Sequence, residues 1–198
     1  METEVKRVKE AADEVKEVLP EAEPEPAPVK PKVTIRQARL ADMPQLEDLL
    51  IEFYEIQRRR GNRTLASNPN VLRGGVMVEL SMNWANDNCR IMVAERDGVL
   101  LGFFIAEIIF CRPIEEYHKC VWVRGDYVKG KSLLNPIILE RMWSQIYKWG
   151  ESQGASYFFG DIHQSNQPSI RTAKSVGFKH YFTRFLKFVS VTEDDNHG

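Results

Sequence analysis

The order of apolar and polar positions divides the chain before any single residue is considered. Over residues 1–19, Val5, Val8, Ala12, Val15 and Leu19 recur at steps of three and four, the a/d stripe of a short helix. Two heptads of Val and Ala bury little area, and an isolated helix of this length is marginal in water. The stripe therefore implies docking, self-association, or a frayed and solvated helix. Proline at 20, 24, 26, 28 and 31 then excludes helix and ladder alike, so residues 20–32 read as an extended, semi-rigid linker.

Patterning typical of a packed domain begins at Val33. Residues 33–38 alternate as a strand does. Asp42 is a candidate cap for an amphipathic helix marked by Leu46, Leu49, Leu50 and Phe53 and running towards Arg60. A Gly/Asn/Pro-rich loop follows, and Val71–Trp84 reads as a second helix. Two apolar runs, 89–96 and 99–110, flank Asp97-Gly98, the strongest short signal for an antiparallel hairpin, and 119–128 adds a third strand. Beyond the loop KGKSLLN, Pro136 takes a first helical position behind Asn135 as cap. Ile138, Met142, Ile146 and Trp149 make the apolar stripe of this helix, and Gly154 ends it. The short apolar run 155–162 reads as a central strand buried on both faces. A short helix capped by Asn166 and closed at Gly177 leads to a last strand over 178–188. The folded domain spans 33–190, with a polar tail at 191–198. The element order is that of an α+β fold, a mixed and mostly antiparallel central sheet flanked by helices, behind a tethered N-terminal helix.

Asn166 to Phe178 reads NQPSIRTAKSVGF. Its Asn, Ser-Ile and Gly-Phe positions, after a helix that ends in Gly154-Ala155 and an apolar strand, resemble the N-x-x-A/S-I-x-x-Y-x-x-x-G-F pattern of the Gcn5-related N-acetyltransferase (GNAT) superfamily. The opening, VTIRQARLADMPQL, resembles the family's first strand and helix, so the similarity spans most of 33–188. What the resemblance implies is a GNAT-like fold, acetyl-CoA as cofactor and a small amine as acceptor. It assigns cofactor contacts to Val128, Lys129, Gly130, Lys131, Ser132 and Asn135 in the loop before the crossover helix, together with Asn166.

The family's pyrophosphate loop, Q/R-x-x-G-x-G/A, presents bare backbone amides to the phosphates. Placed on 129–134, Lys129 takes the basic position while Ser132 and Leu134 replace the two glycine-type positions. Placed on 133–138, no glycine remains. In either register a side chain stands where backbone approaches phosphate, and Pro136 removes one amide donor. The tyrosine that many members use as general acid corresponds to Ala173. Other ionisable candidates are Glu107, Asp126, Asp161 and His163, none of which stands apart from the rest. Two readings follow, an acyl-CoA-dependent N-acetyltransferase, or a catalytically inactive GNAT-fold module docking through residues 1–19. Degenerate members of the second kind resemble small proteins encoded among the structural genes of tailed bacteriophages, which implies a virion or assembly role.

Composition narrows the partners. The formal net charge of -1 gives no overall attraction to nucleic acid or membrane. Arg58, Arg59, Arg60 and Arg63 suit the C-terminal end of a helix better than an RNA or CoA 3′-phosphate site, since no aromatics are interleaved. Cys89, Cys111 and Cys120 have no metal-ligand spacing and read as small buried hydrophobes in a reducing, cytoplasmic setting. No apolar run is long enough to span a bilayer.

Overall fold

The computed structural model describes residues 32–111 and 118–181. The expected helix at 1–19, nearly all of the linker, residues 182–188 of the expected last strand, and the tail lie outside the described residues. Five strands form one sheet in the order β1-β2-β3-β4-β5: β1 (Thr34–Gln37), β2 (Cys89–Arg96), β3 (Val99–Phe110), β4 (Lys119–Val128) and β5 (Tyr157–Gly160). The first four are antiparallel to their neighbours, and β5 runs parallel to β4. Helices α1 (Met43–Arg59) and α2 (Pro69–Trp84) separate β1 from β2, α3 (Asn135–Ser152) is the crossover between β4 and β5, and α4 (Gln167–Ser175) follows β5.

Alternation along the strands sends side chains to two cores. One face packs Leu46, Leu49 and Leu50 of α1 and Leu72, Val76 and Leu80 of α2 on Ile91, Val93, Phe103 and Ile105. The other packs Ile138, Met142, Trp143 and Ile146 of α3 on Met92, Phe104, Ala106, Val121 and Val128. Fully burying one such side chain contributes about 1.5–3 kcal/mol. Gly150 fixes how closely α3 lies on the sheet, because a Cβ there would stand 2.6 Å from the Phe158 ring and 2.8 Å from Val121. At the β2–β3 hairpin, Asp97 (φ 54°) and Gly98 (φ 78°) both take the left-handed conformation that a tight two-residue turn requires.

Several boundaries differ from the sequence reading. Helix α2 starts at Pro69 rather than Val71, since the Asn68 side chain accepts from the Asn70 N–H and caps it. Asp42 does not cap α1 through its side chain. It closes a 3-10 turn (Leu40–Asp42), accepting from the Arg39 N–H (2.6 Å) and from the Arg36 guanidinium (2.7 and 2.9 Å). Among the described residues β5 is an edge strand of four residues, half-exposed rather than buried on both faces, because only β4 pairs with it. Phe178–Tyr181 carry no strand.

The ends of α3 and α4 are closed in the same way. Gly154 (φ 74°) and Gly177 (φ 96°) each donate to the carbonyl three residues back, and the following residue donates five back. That is the paired bonding of a Schellman motif. Phe178 thereby returns to the core against Trp143, with ring centroids 5.4 Å apart.

Candidate functional site

The register of β3 and β4 shifts between Ile105 and Ala106: Ile105 faces Gly125 while Ala106 faces Val123, so Arg124 is an extra residue, a β-bulge. The parallel ladder of β4 with β5 ends at Val123 and Gly160, whereas β4 runs on to Val128. The two strands thus part beside the bulge, and the loop 129–134 and the start of α3 lie beyond the end of β4.

That loop brings together most of the residues assigned to a cofactor. Asn135 does not accept as a cap. Its amide donates to the carbonyls of Val128 (3.4 Å), Lys129 (3.4 Å) and Gly130 (2.9 Å), and Leu134 occupies the N-cap without a side-chain bond. Ser132 satisfies the amides at the helix entrance, its Oγ accepting from the Leu134 N–H (3.2 Å) and its carbonyl from the Asn135 N–H (3.1 Å). Pro136 has no N–H. Lys129 pairs with Glu52 at 3.1 Å, and Tyr127 donates to the same carboxylate at 2.7 Å. Burial opposes ionisation of Glu52, but the bonds from Tyr127 and Lys129 outweigh it and hold the carboxyl below its usual range.

The residues present do not fit a pyrophosphate in the usual glycine cradle. An anion at a helix N-terminus needs amides that point at it unpaired. Here two of them are spent on Ser132, proline replaces a third, and the basic residue of the loop is paired with an acid. Leu133 (96% exposed) and Leu134 (47%) add branched side chains at the same place.

Asn166 belongs to a different cluster. It is 1% exposed, its carbonyl oxygen accepts from Arg60 (2.7 Å) and from the Ser169 N–H (3.5 Å), and its amide donates to Gln57 (3.3 Å). Ser165 donates to the Arg60 carbonyl and shares a 2.7 Å hydrogen bond with His163 Nδ1. Arg60 therefore fastens the end of α1 to the start of α4 through Asn166 and Ser165, and His163 holds Ser165 in place. Ala173 serves α4 closure through its carbonyl, which accepts from the Phe178 N–H. Asp126 stands opposite Phe104, on the α3 face. Burial pushes its carboxyl up, only partly offset by the nearby Trp143 indole, whose N–H completes no hydrogen bond, and by its own backbone amide.

The other face carries a groove of about 250 Å³ at the bulge, walled by Val78 and Met82 of α2 and floored by Glu79, Glu107 and Arg124. Arg124 bonds Glu107 at 2.5 Å and lies over the Trp122 ring at 4.4 Å. Glu79 accepts from Tyr54 at 2.6 Å. Burial, with Glu79 beside it, raises the Tyr54 phenol far above its ordinary value, so it stays a donor. Glu107 was a candidate from sequence. Glu79 was not, although it is the one charge in GGVMVELSMNW, an uneven placement that marks it.

No family model and no curated protein matches the sequence. Solved structures do match. Aminoglycoside N-acetyltransferase AAC(6')-Iy in complex with CoA is 17% identical with a TM-score of 0.63, over 84% of this chain and 99% of that one. The 6'-N-acetyltransferase AAC(6')-IG from Acinetobacter haemolyticus is 18% identical with a TM-score of 0.60, over 79% and 99%. A tetramutant of the BH1408 protein from Bacillus halodurans is 14% identical with a TM-score of 0.67, over 79% and 99%. The fold is the GNAT-like α+β fold of acetyltransferases. Among the described residues no helix is long and apolar enough to cross a membrane, and no cluster of His, Cys, Asp and Glu is arranged to hold a metal ion.

Proposed function

We propose that this chain is a GNAT-fold module of the acetyltransferase type that works by binding rather than by acyl transfer, with the groove between α2 and β4 as its working site. One observation carries the reading: the entrance of α3 spends two of its own amides on Ser132, has proline at a third and pairs Lys129 with Glu52, leaving fewer donors for a CoA pyrophosphate. Two carboxylates, Glu79 and Glu107, beside apolar Val78 and Met82 suit a cationic amine on an apolar body. The residue 1–19 stripe supplies the docking element of an assembly part, in a virion or elsewhere.

The second reading, an acyl-CoA-dependent N-acetyltransferase, is favoured by the parting of β4 from β5 next to that groove. Acetyl-CoA, when bound, supplies an acetyl thioester. The chain's own part is then to hold the amine at Glu107 and Glu79 and to take up its proton there.

Titration of the full chain with acetyl-CoA distinguishes the two. No saturable heat at ligand concentrations up to about 1 mM is the expected result. Saturable binding together with CoA release on addition of an amine establishes the enzyme and overturns the proposal. Removal of residues 1–19 is expected to abolish partner recruitment or assembly, and unchanged assembly removes that element from the reading.

A further inference from the structure

Cys111 directly follows the last residue of β3, and Cys120 is the second residue of β4. The Cys111 N–H donates to the His118 carbonyl (3.1 Å), while Ile109 stands opposite Cys120, so the two cysteines are diagonal neighbours across the ladder. Their sulfurs are 3.2 Å apart, and the Tyr157 hydroxyl of β5 lies 3.3 Å from the Cys111 sulfur. Cys120 is 1% exposed and Cys111 is half-buried. The side chains already point at one another at the point where β3, β4 and β5 meet.

A disulfide needs a sulfur separation of about 2.0 Å, so the pair has roughly 1.2 Å to close. Diagonal positions hold their Cα atoms about 7–8 Å apart, at or past the upper limit for an unstrained bridge. The bond is thus reachable with a small shift at the strand end. A disulfide that a reductant can reach, here through half-buried Cys111, belongs with the labile, regulatory ones.

We propose that Cys111 and Cys120 form a reversible redox pair, oxidised by a hydroperoxide to an intrachain disulfide and restored by a dithiol. The Cys111 sulfur, the more accessible, attacks the peroxide: an S–O bond forms, the O–O bond breaks, and the leaving oxygen takes the thiol proton. Cys120 then attacks that sulfur; the S–S bond forms, the S–O bond breaks, and hydroxide leaves with the Cys120 proton as water. The sulfurs lose two electrons and the peroxide gains them. Cys89 takes no part, since burial foremost, with Glu107 adding to it, pushes its thiol up to about 12 and suppresses the thiolate. The cross-link would fix β3 to β4 beside the first rung of the β4–β5 ladder, Cys120 with Tyr157, whose far end is where the strands part.

The test is treatment of the full chain with hydrogen peroxide, then alkylation in denaturant and peptide mapping. The expected result is loss of two hydrogens from the intact mass, a Cys111–Cys120 linked peptide, Cys89 alone alkylated, and recovery of all thiols with dithiothreitol. Cys111→Ser and Cys120→Ser should each abolish the link, whereas Cys89→Ser should keep it. Alkylation of all three cysteines after peroxide, a link through Cys89 or between chains, or Cys111 driven to sulfinic acid beside an alkylated Cys120 overturns the proposal.

Discussion

At the start of α4, Asn166 is buried and its side-chain oxygen accepts from the helix and from Arg60. At the start of α3, Asn135 is half-exposed and its side-chain nitrogen donates to the carbonyls of Val128, Lys129 and Gly130. The same side chain is used in opposite senses. In α4 the helix entrance is satisfied from outside and serves as an anchor between distant parts of the chain. In α3 the loop folds its carbonyls onto Asn135, and Ser132 absorbs the helix amides. An entrance that spends two amides on its own loop has fewer left for a ligand.

The largest expected effect tests the anchor. Asn166→Ala leaves Arg60, Gln57 and the Ser169 N–H without their partner in a buried place, and should cost about 2 kcal/mol in urea unfolding. A cost near zero would show that α4 is not fastened this way. Gly177→Ala places a Cβ in open space but at φ 96°, and should cost about 1 kcal/mol by backbone strain alone. Asn135→Ala is expected to cost only about 0.5 kcal/mol, because water can replace a partly exposed donor. A loss equal to that of Asn166→Ala would erase the distinction between the two entrances.

The smallest effect concerns the third entrance, at α1. The Arg36 hydrogen bond, opposed by burial and helped by the Arg39 amide, holds Asp42 below the ordinary value of 3.8. Its folded-state pKa is depressed, so its stabilisation is present above the unfolded value and is lost as pH falls through the folded one. Melting temperatures from neutral pH down to about pH 2 should therefore fall less steeply for Asp42→Asn than for the natural chain. Parallel curves would remove Asp42 from the acid response.

These entrances also show what was legible in the sequence and why. Asp97-Gly98, Gly154 and Gly177 could be read because their conformations are local requirements of a turn or a helix end. The Leu and Ile stripes of α1 and α3 could be read because their period is their own. Asp42 stands at the N-cap position that its spacing implies but its side chain is spent on Arg36 and the Arg39 N–H, and Asn135 lies one residue past the cap with its amide given to loop carbonyls, competitors that only the fold brings in. Asn166 was assigned correctly as a cap, but its bonds to Arg60 and Gln57, more than a hundred residues away, leave no trace in local spacing. The apolar content of 155–162 implies burial on both faces, whereas its aromatics lie along a sheet edge among the described residues. The groove was half legible, through Glu107, since its floor is assembled by a register shift that no periodicity announces.

Arg124 gives that shift a further meaning. Beyond it, Asp126 and Val128 turn towards α3 and Tyr127 turns towards α1, each on the side of its β3 partner. Arg124 is the unpaired residue and shares the α1 and α2 side with Gly125, so removing it would leave Gly125 opposite Ile105, Asp126 opposite Phe104 and Tyr127 opposite Phe103, each on its present side, and would take away only the groove's arginine. The bulge is in effect an insertion that the ladder absorbs: one codon carries a charge to the groove and leaves the domain's two interiors as they were.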